Sequence, residues 1–309
     1  MFSQYFGHYL LNHGLLSSEQ LEHALEKQKS IHLKLGVIAV DEGFLTSAQV
    51  VEIHEKQKRQ DKRFGEIGVE LGYLTEEQVE KLLSVQKSSH LLLAQAIIDE
   101  NYMTIDSFAH ALNEYKQLHS LSDEKFEAIK NGNIEALVEN LLNLADIEKR
   151  EYAHYISLFI KNMIRFIDER AYVEVSEFNQ EIKADWIVSQ EIKGEESFFT
   201  ALAFDESVLI KIASIYAEEE LLEADELAQA SVSEFLNLHN GIFLVNMSNK
   251  GVELGMEPQI IEENAALSAP QETSLLVNVY TSEGSFKLLI SMHPKQIQLS
   301  KCSEIAQAL

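Results

Sequence analysis

The sequence predicts an α+β protein in two parts. The first is an all-α N-terminal domain of helical repeats; the second is a C-terminal α+β domain with helices packed on an antiparallel sheet. Three observations lead there. Residues 1–118 repeat with a period of 29, which marks a stacked supersecondary unit. From Ala171 onward, runs rich in β-branched and aromatic residues take over, the pattern of strands. The chain has 309 residues, 46% hydrophobic and 24% charged, so it can bury one large core or two ordinary ones.

The repeat defines the first elements. Gly14, Gly43, Gly72 and Asn101 stand 29 residues apart. Seven residues before each lies a small residue: Gly7, Gly36, Gly65 or Ala94. After each comes an apolar pair and then a hydroxyl: Ser17, Thr46, Thr75 or Thr104. Ser17-x-x-Gln20, Thr46-x-x-Gln49 and Thr75-x-x-Gln78 are capping boxes, in which the hydroxyl and the Gln side chain each satisfy a free amide of the first turn. Leu16/Leu21, Leu45/Val50, Leu74/Val79 and Met103/Phe108 occupy the staple positions around the cap. The glycine, or Asn101, ends the preceding helix in a left-handed conformation. Each unit is therefore a short helix, a turn and a capped helix of about three turns. The small residues allow a neighbouring helix, or a ligand, to approach the first helix closely.

Units two and three carry more. Lys34-Leu35-Gly36 through Gln57, and Arg63-Phe64-Gly65 through Gln86, are two in-phase blocks separated by Lys58–Lys62. They resemble the tandem motif of the N-terminal domain of type II secretion and type IV pilus ATPases, a family in which some members bind cyclic di-GMP. Gly36, Gly43, Gln57, Gly65, Gly72 and Gln86 match that motif. Lys34 replaces Arg, Phe64 replaces Leu, Gly68 stands at an apolar position, and His54 stands where Leu is usual. A lysine lacks the planar two-point grip of arginine on guanine or phosphate. The resemblance implies Lys34, Gly36, Gln57, Arg63, Gly65 and Gln86 as ligand-binding residues. Lys56, Lys58, Arg59, Lys62 and Arg63 add a local basic cluster, which reads either as an anion site or as a solvated helix end and linker.

Residues 119–147 read as a helical linker, with Asn131-Gly132-Asn133 as a turn. A long amphipathic helix follows from Glu148 to Asp168, with Tyr152, Ile156, Phe159, Met163 and Ile167 on one face. Strands are expected at Ala171–Glu177, Ile182–Ile192 and Glu196–Phe204. Asp205-Glu206-Ser207 can cap a helix running to about Ala217. A second helix runs from about Asp225 to Asn249 and ends at Gly251. Further strands are expected near Leu254–Glu262, Leu275–Thr281 and Phe286–Met292. The organisation is then residues 1–118, a linker over 119–147, and a second domain over 148–309.

Phe204-Asp205-Glu206-Ser207, the stretch from Asp225 to Gly241 and Gly255-Met256-Glu257-Pro258 together resemble the core of the CheX/CheC/FliY phosphatases of bacterial chemotaxis. Gln259 replaces the second Pro of that family's Gly-x-x-Pro-Pro stretch. The family's Glu-x-x-Asn motif falls on Glu234 and Asn237, with the downstream Gly on Gly241. These three positions share one helix face. The resemblance implies hydrolysis of the aspartyl phosphate on a response-regulator receiver. Glu234 would pair with the receiver's lysine and Asn237 would orient the attacking water. Mg2+ would sit on the receiver, and the chain would need no intrinsic cofactor. It also implies a homodimer. Two rival readings share the same sequence: a non-catalytic adaptor that binds receivers, and a cyclic di-GMP effector. His239 and Asn240 read as surface or packing residues, and Trp186 as a strand residue in a core or dimer contact.

Charge narrows the partners. The formal net charge is -25, from 25 basic and 50 acidic residues. An acidic surface repels nucleic-acid polymers and anionic membranes. The single cysteine, Cys302, fits a reducing compartment. No apolar run is long enough to span a bilayer, and no targeting segment is visible, so a cytoplasmic location is expected.

Overall fold

The computed structural model describes residues 2–28, 30–31, 33–57, 59–60, 62–84, 89–142, 149–176, 178, 181–194 and 197–302. It divides into two compact units, residues 1–136 and 137–309.

The first unit contains the repeat. Its helices come in pairs: α1 (Phe2–Asn12) with α2 (Ser18–Lys27), α3 (Leu35–Asp41) with α4 (Ser47–Gln57), α5 (Phe64–Glu70) with α6 (Glu76–Ser84), and α7 (Ser89–Asp99) with α8 (Ile105–Leu118). The turn residue of each pair is left-handed: Gly14 at φ 66°, Gly43 at 70°, Gly72 at 71° and Asn101 at 58°. The capping boxes form as local chemistry requires. Gln20 N–H donates to Ser17 Oγ at 3.2 Å while Ser17 N–H donates to Gln20 Oε1 at 2.9 Å, and the Thr46/Gln49 and Thr75/Gln78 pairs repeat the pattern. In the fourth pair Ser107 takes the place of Gln.

The structure identifies what approaches the small residues. A Cβ built on Gly7 would lie 2.8 Å from Leu21 Cδ1, on Gly36 2.8 Å from Val50 Cγ1, and on Gly65 2.8 Å from Val79 Cγ1. Each glycine is covered by the staple residue of its own pair's second helix, so the close approach is helix on helix. The departures from the tandem motif also have physical reasons. A Cβ on Gly68 would lie 2.8 Å from Leu74 Cδ1, so no apolar side chain fits there. His54 and Phe64 lie against each other, with ring centroids 5.1 Å apart, so two departures form one contact.

An aromatic cluster of Phe2, Phe6, Tyr9, Phe108 and Tyr115 joins α1 to α8, and Phe2 meets Phe126 of α9 (Asp123–Lys130). Beside it lies an ion cluster around the buried Lys130 and His90. Lys130 Nζ is 2.9 Å from both Asp41 Oδ1 and Glu127 Oε1, and His90 Nε2 is 3.2 Å from Asp41 Oδ2. Burial alone would raise the Asp41 pKa, but the hydrogen bond from His90 and the neighbouring charges outweigh it, so the carboxyl sits below its ordinary value. Burial likewise works against a charged Lys130, and Asp41 and Glu127 outweigh it, so its pKa is raised. The Asn131-Gly132-Asn133 turn has Gly132 at φ 87° and leads to α10 (Ile134–Leu141).

The second unit is α+β, with an antiparallel sheet as expected. Its elements are α11 (Lys149–Phe166), β1 (Tyr172–Ser176), β2 (Glu181–Gly194), β3 (Phe198–Phe204), α12 (Glu206–Ala217), α13 (Glu226–Ser248), β4 (Leu254–Met256), β5 (Ile260–Ser268), β6 (Ser274–Thr281), β7 (Gly284–Ser291) and β8 (Gln298–Lys301). Among the described residues the strand order is β1-β6-β7-β3-β2-β5-β8, with β4 also on β2. Tyr152, Ile156, Phe159, Met163 and Ile167 are all buried, as the amphipathic pattern of α11 requires.

Two expectations need correction. The strand foreseen over Leu254–Glu262 is two strands, and a further strand, β8, follows. β4 pairs with Ile192–Gly194 of β2 and β5 with Glu181–Ser189. Between them lies Glu257-Pro258-Gln259; a proline has no N–H to offer the ladder. Asp205 stands at the cap position of α12, but its side chain makes no capping hydrogen bond. Instead Asp185, from mid-β2, accepts the Glu206 N–H at 2.9 Å. Asp185 is absent from the β2–β5 register, as is Asn264 at φ 49°. On either side of that break Ile182 and Ile187 share one apolar core with Ala201, Ala203, Ala265, Leu267, Leu276 and Leu289. No described helix is long and apolar enough to cross a membrane.

Candidate functional site

The long helix α13 carries the Glu-x-x-Asn pair. Asp225 caps it, accepting from Ala228 N–H at 2.9 Å. Its apolar side is buried by Val232, Phe235, Leu236 and Phe243, with Phe235 edge-on to Phe159 of α11. This packing fixes the opposite face outward. Glu234 is exposed, and Asn237 and Gly241 are half-buried. Asn237 Nδ2 lies 3.3 Å from Glu234 Oε2, so an interaction within the helix joins the two motif residues. Gly241 lies one turn further on, and a Cβ there would meet only Met256 Cε, at 3.8 Å. The structure thus brings Glu234, Asn237 and Gly241 onto one accessible strip.

Behind the strip lies a polar network. Gln190 of β2 is buried and donates through Nε2 to Asn237 Oδ1 at 3.1 Å and to the Glu257 carbonyl at 2.9 Å. Gln190 Oε1 accepts from Asn240 Nδ2 at 2.8 Å. Asn240 in turn touches Thr200 Oγ1 at 3.2 Å and accepts from Tyr155 OH at 2.6 Å. Burial drives the Tyr155 pKa far above its ordinary value, so that hydroxyl keeps its proton as a donor. His239, next to Asn240, is fully buried between α11 and α13, and burial lowers its pKa to about 3. His239 and Asn240 are therefore interior residues. Trp186 is buried in β2, its Nε1 3.2 Å from Glu206 Oε2.

Sequence reasoning missed Gln190, Thr200 and Tyr155. Gln190 did leave a signal: it is an amide in mid-strand between Trp186-Ile187-Val188 and Ile192, and a buried amide requires partners. Tyr155 and Thr200 left none that distinguishes them from ordinary core residues.

The residues implied for a ligand in the first unit are placed differently. Lys34 precedes α3; its backbone N–H donates to Gln95 Oε1 at 3.0 Å and its ammonium sits on Asp99 Oδ1 at 2.6 Å. Arg63 stands at the corresponding place before α5, where its N–H donates to Glu66 Oε2 at 2.9 Å. Gln57 Nε2 donates to the Lys62 carbonyl at 3.2 Å. Gly36 and Gly65 lie against Val50 and Val79. Gln86 and Lys58 lie outside the described residues. In the basic cluster, Lys62 pairs with Glu70. Among the described residues no group of three His, Cys, Asp or Glu side chains could hold a metal ion.

No protein-family model matches the chain, and no curated protein matches it. Solved structures similar to it include a chemotaxis protein CheX from Desulfovibrio desulfuricans, at 14% identity and TM-score 0.37 over 44% of this chain and 94% of that one. A chemotaxis protein CheX from Vibrio vulnificus is similar at 11% identity and TM-score 0.38, over 45% and 98%. A CheX–CheY–BeF3–Mg2+ complex from Borrelia burgdorferi is similar at 13% identity and TM-score 0.35, over 48% and 96%.

Proposed function

We propose that the chain removes the phosphoryl group from the aspartyl phosphate of a response-regulator receiver, with Glu234 and Asn237 as the acting residues. The observation that carries this reading is the Glu234–Asn237 pair, 3.3 Å apart on an open strip of α13, within the stretch Asp225–Gly241 that resembles the chemotaxis phosphatases. The strip suits a reaction between two proteins, since its open side offers a carboxylate and an amide rather than a closed cleft.

The chemistry asks little of the chain. Water attacks phosphorus in line; the new O–P bond forms as the bond to the aspartyl oxygen breaks. The receiver's carboxylate leaves, and inorganic phosphate and a proton go to solvent. Mg2+ held by the receiver would balance charge on the phosphoryl oxygens. This chain supplies position: Glu234 docks on a lysine of the receiver, and Asn237 holds the water by hydrogen bonds. Positioning is the usual source of catalysis in phosphoryl transfer. The first unit then serves as a sensory or interaction domain. A cyclic di-GMP site at Lys34 and Arg63 would require the Lys34 ammonium to leave Asp99, an exposed ion pair that costs little to break.

The test is phosphate release from a panel of phosphorylated receivers, with and without cyclic di-GMP. The wild type should accelerate loss from at least one receiver, and Asn237→Ala should remove most of that acceleration while still binding it. Binding without acceleration by the wild type would make the chain an adaptor. Acceleration that Asn237→Ala leaves intact would place the chemistry elsewhere.

A further inference from the structure

We infer that Gln190 is a positioning residue that sets which end of the Asn237 amide faces the surface. The inference rests on the phosphatase reading for its kinetic consequence only; the orientation itself is a property of the folded chain.

A primary amide is nearly symmetric in shape, so Asn237 could present either its oxygen or its nitrogen. The network removes that freedom. The Glu257 carbonyl can only accept, and it lies 2.9 Å from one end of the Gln190 amide, which must therefore be the nitrogen. The same nitrogen faces Asn237 at 3.1 Å, so the facing atom of Asn237 must be an acceptor, its Oδ1. The far end agrees: Gln190 Oε1 accepts from Asn240 Nδ2 at 2.8 Å, and Asn240 Oδ1 accepts from the Tyr155 hydroxyl at 2.6 Å. Each member has its direction dictated by the next. Asn237 Nδ2 is left pointing outward, one N–H toward Glu234 and the other toward whatever occupies the strip.

The fold provides for this contact. Gln190 stands on β2 between the segments that pair with β4 and with β5, where Pro258 breaks the ladder. Glu257 N–H donates to the Glu191 carbonyl at 3.0 Å and Lys193 pairs with Glu257 at 2.7 Å. The loop that supplies the orienting carbonyl is thus itself held.

The test uses the full chain with Gln190→Glu and Gln190→Leu. A Glu at 190 has at most one proton to give, so it cannot donate both to the Glu257 carbonyl and to Asn237 Oδ1, and the two-donor contact that fixes Asn237 is lost. Leu removes the contact. Three readouts follow. The side-chain amide resonances of Asn237 in 15N-labelled protein should shift in both variants. The maximal dephosphorylation rate should fall roughly 10–100-fold, the scale of a misplaced catalytic group. Affinity for a beryllofluoride-activated receiver should stay within about threefold, because Gln190 is buried behind the strip; no general loss of structure would split rate from binding in this way. In the wild type, the Gln190 side-chain amide protons should exchange slowly, a measurement that needs no variant. Fast exchange there, or unchanged Asn237 amide resonances in both folded variants, overturns the inference. If the wild type is inert on every receiver, the phosphatase reading fails while the amide resonances still decide the orientation.

Discussion

His239 should make the second unit sensitive to mild acid. Its ring is fully buried, edge-on to Tyr155 at 4.4 Å and Phe159 at 5.2 Å between ring centroids. Nδ1 lies 3.0 Å from Asn162 Nδ2, and Nε2 has no hydrogen-bond partner among the described residues. Among the described residues no carboxylate pairs with the ring, and burial lowers its pKa from 6.5 to about 3. The unfolded chain takes up a proton at this position as pH falls below 6.5, and the folded chain does not until about pH 3. Stability from this group is therefore full above pH 6.5 and is lost as pH falls through that window. Each pH unit inside it costs about 1.4 kcal/mol, so pH 5 should cost about 2 kcal/mol. Trp186, the single tryptophan, lies in the same unit, and its fluorescence in urea reports the transition. Wild type should lose about 2 kcal/mol between pH 7.5 and pH 5 beyond what His239→Gln loses. Equal losses in the two proteins, or an NMR titration of His239 with a midpoint near 6.5, would refute the reasoning.

Three further outcomes can be checked in the first unit. Asp41→Ala removes one of the two carboxylates on Lys130, 3% exposed, and the partner of His90 Nε2, and should destabilise by about 1–3 kcal/mol, with Asp41→Ala/Lys130→Met recovering part of it; urea unfolding followed by ellipticity reads both. Because the Asp41 pKa is lowered in the fold, its contribution is full above the ordinary carboxylate pKa of about 3.9 and lost as pH falls through the folded value, so this difference should shrink only below about pH 4. Gly36→Ala places a Cβ 2.8 Å from Val50 Cγ1 and should cost about 1–3 kcal/mol despite better helix propensity, less than additively with Val50→Ala. Gly43, at φ 70° with nothing within 4 Å of a built Cβ, should lose about 1–2 kcal/mol on mutation to Ala by backbone strain alone and less on mutation to Asn; thermal melts rank the two.

The features that could be read in advance share one property: their partners are close in sequence. The Ser17/Gln20 box, the left-handed Gly43 and the buried stripe of α11 involve residues no more than a few turns apart. The small residues show where that reach ends. Gly36 called for something close by, and either a helix or a ligand would have answered; only packing identified it as Val50. The same holds for the cap of α12. Asp205 is the local candidate, yet the carboxylate that reaches the Glu206 N–H is Asp185, 21 residues earlier. The strand break at Pro258 was visible as a proline, but its consequence was not, because it depends on β2 meeting both β4 and β5.

For the candidate site the division is the same. Helical periodicity alone places Glu234, Asn237 and Gly241 on one face, because a turn of α-helix returns every 3.6 residues. Which way that face points depends on Phe235 finding Phe159 and Phe243 finding Tyr155, contacts between residues about 80 positions apart. Which end of Asn237 is presented depends on Gln190, 47 positions away on a strand. Local hydrogen bonds and periodicity are properties of a short segment and are written in it. A buried amide's direction is set by the carbonyl that chain folding delivers to it, and that carbonyl, on Glu257, becomes its neighbour only in the folded sheet.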